Sequence, residues 1–371
     1  MTAPGIRFAA AAFAAMSITA SAGLLPARAA DREVHVYNWS DYIDPQILED
    51  FTKETGIKVV YDVFDNNDLL ETKLLAGGSG YDVVVPTGPF LARQIQAGVF
   101  QKLDKSKLPN LSNMWPMVME RLANYDPGNQ YAVNYMWGTT GIGYNVKKIK
   151  AVFGDDVKID SWDFIFKPEN AKKLKQCGLN ILDASDETFA IAMNYVGKNP
   201  DSKKTPDLEA GGKVYSAIRP YAKTFNSAAY INDLANGDIC ASIGWSGDII
   251  QAKKRAEEAK NGVEIAYVIP KEGTYMWFDN LAIPADAKNV EEAHAFINYL
   301  MKPEVIAKAS DYVSYANGNL ASQKLISPDV FNNPSVYPDE ATMKRLFTIS
   351  PYDPKSQRVL NRLWTQIKTG K

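Results

Sequence analysis

Short apolar strand segments alternate with helical segments through much of this chain. One example begins with the alternating run Glu33–Trp39, continues into a helix that starts at Asp44 and Pro45, and reaches a second strand at 57–63. An aspartate followed by proline is typical of a helix start, because the aspartate caps the helix and proline fits its first turn. Strands that alternate with helices predict an α/β fold with a largely parallel sheet.

The same alternation returns later in the chain. Segments 179–182 and 240–243 predict strands, and each is followed by a helical segment. A further strand is predicted at 281–284, and we place residues 277–279 in the connection before it. No Pro/Gly/Ser-rich linker separates two halves of the chain. We therefore expect the chain to pass between domains through ordered strands.

The N-terminal stretch is predicted to be a cleaved export signal. A basic Arg7 precedes an uncharged, alanine-rich run, and residues 27–29 (Ala-Arg-Ala) place small side chains where a secretory cleavage site needs them. We expect residues 1–29 to be removed, so that the mature protein begins near Ala30. A membrane anchor is the alternative, because the uncharged run is nearly long enough to span a bilayer. No cysteine follows the cleavage position, so lipid attachment there is not indicated.

Size and charge narrow the choice of protein class. About 340 residues remain after the signal, more than one core usually organises, so two domains are expected. The net charge of −2 argues against a nucleic-acid partner held by phosphate contacts. The mature chain has no second long apolar run, so membrane insertion is not expected. The two cysteines, Cys177 and Cys240, are expected to pair in an oxidising compartment, with two buried free thiols as the alternative.

Three tryptophans each have an aspartate nearby in the sequence. The pairs are Trp39 with Asp41, Trp245 with Asp248, and Trp277 with Asp279. An indole face attracts a cation, and an ionised carboxylate attracts it more strongly. Three such pairs in one cleft favour a small organic cation with several ammonium groups over a sugar, a phosphate or an acidic substrate. Packing in a hydrophobic core is the alternative for the tryptophans.

A second set of side chains follows predicted strands, at or just before helix starts. The set is Asp41, Thr87, Glu187 and Asp248. Open α/β sheets bind ligands at that edge. Acids in this position also cap helices, so capping is the alternative for each of them. Tyr312 and Tyr315 are candidates for further aromatic walls, or for a packed helix end at the surface.

Catalytic and metal-binding signals are weak. The motifs GxSxG and HExxH do not occur, and His35 in a strand and His294 on a helix favour structural roles. Two histidines and no CxxC motif give no reason to expect a metal, and no cofactor is predicted. A secreted glycosidase needs only two carboxylates, and it is the enzyme alternative.

Six stretches together resemble the periplasmic polyamine-binding proteins of ABC importers, in particular the putrescine-binding kind. They are YNWSDY (37–42), YDVVVP (81–86), WGTTGIGYN (137–145), YINDLANGDIC (230–240), GWSGD (244–248) and IPKEG (269–273). The resemblance covers essentially the whole mature chain. It implies a two-lobed type II periplasmic binding protein, hinged by crossing strands, and not an enzyme. Lobe 1 would comprise residues 30–138 and 273–306, and lobe 2 residues 139–272 and 307–371.

The resemblance also implies roles for individual residues. The family's aromatic box matches Trp39, Tyr42, Trp245, Trp277 and Tyr315. Its ammonium-binding acids match Asp41, Glu187, Asp248 and Asp279, and its completing polar groups match Ser40 and Thr87. Its cysteine pair matches Cys177 and Cys240. The tryptophan at position 277 resembles the residue that spermidine binders have there, whereas the stretch GWSGD resembles that of the putrescine binders. Both ligands are therefore expected candidates.

The function that the resemblance implies is solute capture for transport. A monomeric periplasmic receptor would bind a protonated polyamine and hand it to an inner-membrane ABC permease. The methylene chain would lie between aromatic faces, and Asp248 and Asp279 would hold one ammonium end, with Asp41 or Glu187 toward the other. A polyamine-sensing protein on the same fold is the alternative, because the difference lies in which membrane protein docks.

Overall fold

The computed structural model describes residues 1–2 and 32–370. The predicted cleavage position and all but the first two residues of the predicted signal lie outside the described residues. None of the helices in these described ranges combines the length and the hydrophobicity that a bilayer span requires. Its strands are β1 (Glu33–Trp39), β2 (Lys58–Phe64), β3 (Val83–Val84), β4 (Ala132–Asn145), β5 (Leu179–Ile181), β6 (Thr224–Phe225), β7 (Ala241–Trp245), β8 (Ile265–Val268), β9 (Met276–Ala282) and β10 (Ala316–Asn317).

The helices flank these strands. They are α1 (Pro45–Thr55), α2 (Asn67–Leu75), α3 (Gly88–Gln96), α4 (Pro116–Leu122), α5 (Val146–Phe153), α6 (Asp163–Phe166), α7 (Pro168–Leu174), α8 (Ser185–Tyr195), α9 (Thr205–Ile218), α10 (Tyr230–Asn236), α11 (Ser246–Ala259), α12 (Val290–Leu300), α13 (Pro303–Val313), α14 (Pro328–Phe331), α15 (Glu340–Met343) and α16 (Pro354–Thr369). The start of α1 follows its predicted signal, since the Asp44 side chain accepts a hydrogen bond from the Gln46 backbone at 2.9 Å. The helix ends at Gly56, whose φ of 72° suits glycine.

The strands form one mixed sheet in the order β2-β1-β3-β9-β4-β7-β5-β6, and β8 and β10 pair with β4. At one end β1 pairs in parallel with β2 and β3, and at the other β5 pairs in parallel with β6 and β7. All pairs that include β4 or β9 are antiparallel. The predicted α/β fold is confirmed, and its parallel character is confined to the two ends of the sheet.

Strand β4 connects those two ends. Its residues 132–139 pair with β9, and residues 140–145 pair with β7 and β8. A strand of this length extends roughly 45 Å. It is buried along nearly its whole course, so the ordered crossing expected from the missing linker is present in this strand.

One strand prediction needs correction, and one strand lacks a prediction. The strand predicted at 281–284 is β9, which begins earlier, so Trp277 and Asp279 lie inside a strand and not in a connection. Asp279 and Asn280 would favour a turn by local propensity, but both are buried and paired with β4, and this pairing decides their conformation. Strand β4 itself was not predicted, since its three glycines weaken the local strand signal.

The predicted disulfide between Cys177 and Cys240 is confirmed, and the free-thiol alternative is excluded. The two cysteines precede β5 and β7, which are parallel neighbours in the sheet. The bond therefore fixes the starts of two strands that lead directly to the helices α8 and α11. On the chain-entropy model, closing such a loop stabilises the fold by about 4 kcal/mol.

The C-terminal part of the chain packs in two places. Ile326, Val330 and Val336 belong to the same hydrophobic cluster as Val84 and Leu91. Helix α16, in contrast, packs against α8 and α9. The lobe boundary drawn at 306/307 from the sequence remains a prediction, and this packing bears on it below.

Candidate functional site

One cavity is lined by all the ligand-binding residues predicted from the sequence. The space that it encloses, together with its open mouth, is about 920 Å³. Those predicted lining residues are Trp39, Ser40, Asp41, Tyr42, Thr87, Glu187, Trp245, Asp248, Trp277, Asp279 and Tyr315. Tyr312 is the exception among the aromatic candidates. Its side chain is half-exposed and does not line the cavity, so the wall role suggested for it is wrong.

Asp279 lies at the floor of the cavity on β9. Its Oδ1 accepts a hydrogen bond from the Thr87 hydroxyl at 2.6 Å, and its Oδ2 accepts one from the Tyr42 hydroxyl at 2.9 Å. Burial raises the pKa of Asp279 to about 7, against the lowering effect of these two hydrogen bonds, and the charge of Asp248 raises it further. Asp279 is thus a buried carboxyl that a positive charge would help to ionise.

Asp248 occupies the first turn of α11. Its Oδ1 accepts from the Tyr315 hydroxyl at 2.6 Å and its Oδ2 from the Tyr230 hydroxyl at 2.7 Å. Gly247 makes this approach feasible, because a Cβ there would lie 2.5 Å from atoms of the Tyr315 ring. Burial raises the pKa of Asp248 to about 6, and the hydrogen bonds from both tyrosines oppose that rise.

Glu187 faces the same space from the first turn of α8. Trp245 Nε1 donates to its two oxygens at 3.0 and 3.2 Å, and the Thr140 hydroxyl donates to Oε2. Burial raises the pKa of Glu187 to about 7, while those donors lower it. A residue of β4, the crossing strand, therefore supports an acid on the half of the sheet that contains β5 and β7.

The three buried carboxyls Asp279, Asp248 and Glu187 share one electrostatic property. Each is held by neutral hydroxyl or indole donors, and no ion pair within residues 32–370 includes any of them. Buried charges are ordinarily paired, because desolvation without a counterion is costly. The arrangement therefore provides positions for cationic groups of a ligand.

Aromatic rings wall the space between these acids. The rings of Trp39 and Trp245 meet edge to face with centroids 5.7 Å apart, and those of Trp277 and Tyr315 do so at 5.2 Å. Trp277 lies directly over Gly138 of β4, where a Cβ would be 2.6 Å from the indole. Trp277 is 5% exposed and also lines the cavity, so it packs in the core and faces the site at once.

Capping accounts for little of this arrangement. Thr87 is the N-cap residue of α3, but its side chain makes no capping hydrogen bond and bonds to Asp279 instead. Glu187 and Asp248 lie in the first turns of α8 and α11, where a negative charge interacts favourably with the helix dipole. The dipole is a secondary contribution here, because the hydroxyl and indole donors contact the carboxyl oxygens directly.

Ser40 and Asp41 lie at the rim of the cavity and already have protein partners. Asp41 adopts a positive φ of 54°, and its Oδ1 is 2.8 Å from Arg255 Nη2 on α11. Its side chain is 46% exposed. The Ser40 hydroxyl donates to Asp65 at 2.6 Å. The ligand contacts assigned to these two residues remain predictions.

Several residues that build the site were not singled out from the sequence. Tyr230 and Thr140 hold acids from other elements, and nothing in their local sequence indicates it. Tyr275 had a usable signal, because it continues the every-second-residue pattern of Trp277 and Asp279 toward the cavity. Within the described residues, no group of His, Cys, Asp and Glu is arranged to hold a metal ion.

Comparisons with known proteins agree with this architecture. Residues 46–338 match the family model for bacterial extracellular solute-binding proteins. The putrescine-binding periplasmic protein SpuD of Pseudomonas aeruginosa is 57% identical over 93% of this chain and 94% of its own length. The putrescine-binding periplasmic protein PotF of Escherichia coli is 53% identical over 95% of both chains.

A solved structure gives the same result for the fold. The spermidine/putrescine ABC transporter substrate-binding protein PotD of Streptococcus pneumoniae matches with a TM-score of 0.74 and 31% identity. The match covers 91% of this chain and 99% of that one. The two-lobed type II fold is therefore confirmed. The relatives named here are binding proteins, none is a glycosidase, and the chain belongs to the bacterial extracellular solute-binding protein family.

Proposed function

We propose that this protein is a periplasmic receptor that captures a protonated polyamine and delivers it to an ABC importer. The observation that carries the proposal is the set of three buried carboxyls without a protein cation, enclosed by aromatic rings. Two relatives are named for putrescine, and the solved structure is named for both spermidine and putrescine, which supports the same ligand class. Export would require removal of residues 1–29 as a signal peptide.

The chemistry of the cavity selects for a diammonium ligand over other solutes. Ammonium groups donate hydrogen bonds and carry positive charge, which complements oxygens of Asp279, Asp248 and Glu187. Methylene groups between them complement the indole and phenol faces. A sugar or an anion would supply no positive charge to these carboxyls, and an anion would be repelled by those that are ionised.

The proposed ligand set divides into three kinds of contact. The ammonium-binding acids are Asp248, Asp279 and Glu187, and the aromatic walls are Trp39, Tyr42, Trp245, Trp277 and Tyr315. Thr87 completes the shell by holding Asp279. For Asp41 and Ser40 we propose a role at the rim, where Asp41 pairs with Arg255 across the cavity mouth.

The packing supports a modified division into lobes. We assign residues 32–138 together with 276–347 to lobe 1, because β10 pairs with this part of β4 and the cluster around Val330 includes residues of β3 and α3. Residues 140–272 and 348–370 form lobe 2, since α16 packs on α8 and α9. Asp279 then lies on one lobe and Glu187 and Asp248 on the other. A ligand that bridges them favours closure, because only differential contact shifts such an equilibrium.

Ligand class is testable by thermal shift on mature protein that has been unfolded, stripped of ligand and refolded. Putrescine, cadaverine, spermidine and agmatine are compared with a basic amino acid and maltose. A ligand at a hundredfold over its Kd adds about 2.7 kcal/mol to the free energy of unfolding, which raises the melting temperature measurably. A rise with polyamines alone supports the proposal, and its absence with every polyamine overturns it.

Lobe closure is tested separately by small-angle scattering of the mature protein. Scattering curves that are identical with and without ligand would count against closure.

A further inference from the structure

Helix α11 of lobe 2 carries a polar stripe that faces lobe 1. Its members recur at spacings of three and four residues, which places them on one face of the helix. They are Asp248, Gln251, Lys254 and Arg255. Each contacts the part of the chain assigned to lobe 1, at Asp41 or within residues 311–315. Asp248 alone of the four lines the cavity, so the other three contact lobe 1 outside the ligand space.

The C-terminal end of α13 receives two of these side chains. The last backbone hydrogen bond of that helix ends at the Ser310 carbonyl, so the carbonyls that follow have no donor within the helix. Gln251 Nε2 donates to the Val313 carbonyl at 3.2 Å, and Lys254 Nζ donates to the Asp311 carbonyl at 2.8 Å. The ammonium group also complements the negative end of the helix dipole. Side chains of one lobe therefore complete a helix of the other.

Burial distinguishes these contacts from ordinary surface pairs. Gln251 is 6% exposed and Val313 is fully buried, so water is excluded from their hydrogen bond. Lys254 is half-buried, which lowers the pKa of its ammonium group, although nearby carboxylates oppose this. The adjacent Lys253 is exposed and pairs with Glu257 of the same helix at 3.9 Å. Two neighbouring lysines thus differ in whether they reach the other lobe.

The chain turns sharply after α13 and brings Tyr315 to Asp248. Ser314, at the turn, has a φ of 61° in the left-handed region. The Tyr315 hydroxyl donates to Asp248 Oδ1 at 2.6 Å and accepts from the Asp248 backbone N–H at 3.1 Å. Gln251 lies one turn further along α11 and holds the carbonyl two residues before Tyr315. The position of the Tyr315 hydroxyl therefore depends on how the end of α13 rests on α11.

Asp248 differs from the other two buried acids in the origin of its donors. The donors to Asp279 and to Glu187 belong to the same lobe as the acid that they hold. Asp248 accepts from Tyr230 of lobe 2 and from Tyr315 of lobe 1. It therefore has both donors only while α11 is in contact with the end of α13.

We infer that Gln251 and Lys254 are positioning residues, which hold the end of α13 against lobe 2 and thereby keep the Tyr315 hydroxyl on Asp248 when the lobes close. The inference rests on the proposed function and on the lobes assigned there. Neither Gln251 nor Lys254 lines the cavity, so their contribution should not depend on which polyamine is bound. It should instead slow ligand release, because opening of the lobes breaks both hydrogen bonds.

The test compares the two neighbouring lysines of α11. Lys254→Met and Gln251→Met remove the donors to lobe 1 and keep the approximate length of each side chain, and Lys253→Met is the matched control. Titration calorimetry measures the affinities for putrescine and spermidine, and stopped-flow fluorescence of the cavity tryptophans measures release. Each variant is also made in a Tyr315→Phe background, which lacks the hydroxyl that bonds to Asp248. Melting temperatures of the ligand-free variants verify folding.

Lys254→Met and Gln251→Met are each expected to weaken binding about three- to tenfold, by a similar factor for both polyamines and mainly through faster release. The loss should be smaller in the Tyr315→Phe background, and Lys253→Met should match wild type. Release rates equal to that of Lys253→Met, or losses undiminished in the Tyr315→Phe background, would overturn the inference. Wild-type protein that binds neither polyamine would instead overturn the proposed function, so the two failures are distinguishable.

Discussion

The acids of the inner cavity and the acids of its rim are satisfied in opposite ways. Asp279 and Asp248 are buried and accept hydrogen bonds from neutral hydroxyls. At the rim, Asp41 pairs with Arg255, and Asp183 pairs with Lys368 at 2.8 Å. The rim acids, which water partly screens, thus have cationic partners. The buried inner acids, for which a counterion would contribute most, form no ion pair within the described residues. This difference favours a ligand that completes the inner region, whereas Asp41 and Asp183 already have protein cations.

Removal of an inner acid should have the largest effect. Asp248→Ala is expected to weaken polyamine binding by about 2–5 kcal/mol, the usual range when one member of a buried charge pair is truncated. Titration calorimetry measures the change. Asp183→Ala is a rim control, because Asp183 is already paired with Lys368, and it should cost much less affinity. Unchanged polyamine affinity in Asp248→Ala would refute the role of the inner acids.

The geometry of an inner acid is open to a subtler test. Gly247→Ala places a Cβ 2.5 Å from the Tyr315 ring, so the ring must shift and its hydroxyl withdraws from Asp248. Overpacking of this kind lowers folding stability by about 1–3 kcal/mol, and we expect polyamine affinity to fall as well, because Asp248 loses the tyrosine that orients it. Gly212→Ala in helix α9 is the matched control. A Cβ at Gly212 would have its nearest contact with the Phe189 ring at 3.4 Å, an ordinary van der Waals distance. Equal affinity for both variants would show that Tyr315 does not orient Asp248.

A change of pH should alter the stability of the ligand-free protein and its polyamine affinity in opposite directions. The pKa values of Asp279 and Glu187 are about 7 and that of Asp248 is about 6, all raised by burial. A raised pKa means that the folded protein binds the proton more tightly than the unfolded chain does. The protonated carboxyls therefore stabilise the ligand-free protein at low pH. This contribution to the free energy of unfolding is lost as the pH rises through 6 to 7. Polyamine affinity should change in the opposite direction, since a cation needs ionised acids, and should fall at least about tenfold between about pH 8 and about pH 6.

Calorimetry across this pH range, with thermal unfolding of the ligand-free protein, tests both signs together. The Asp183→Ala rim variant should retain the full pH dependence, because the inner acids remain. Affinity that is constant over the range would mean that these carboxyls stay ionised without a ligand.

The residues that line the cavity were easier to predict from the sequence than the strands that hold them. The tryptophan–aspartate pairs and the residues after strands were visible locally, because each lies in a short distinctive stretch such as GWSGD. The partners of the acids were not visible. Tyr230 reaches Asp248 only because α10 packs against α11. Thr140 reaches Glu187 only because β4 pairs with β7. Contacts of that kind depend on tertiary structure, which local patterns do not encode.

Glycine explains much of the remaining gap. Gly138 and Gly143 made β4 look unlike a strand, yet they are required there because Trp277 and Ile249 pack against their Cα atoms. The residues that obscured the central strand from sequence analysis are thus the ones that let bulky side chains approach it. Asp41 illustrates a further limit, because its pairing with Arg255, over two hundred residues away in the chain, has no local signal in the sequence.

The smallest effect is expected at the rim. Arg255→Gln removes the 2.8 Å pair with Asp41, whose members are both partly exposed, and exposed pairs contribute less than about 1 kcal/mol. We expect at most a few-fold loss of affinity, mainly as faster ligand release in stopped-flow fluorescence, because the pair joins opposite sides of the cavity mouth. Added salt should reduce the difference between wild type and variant, since exposed charges are screened. A loss as large as that of Asp248→Ala would mean that Asp41 and Arg255 act on the ligand itself, and the distinction between a self-sufficient rim and a ligand-dependent interior would fail.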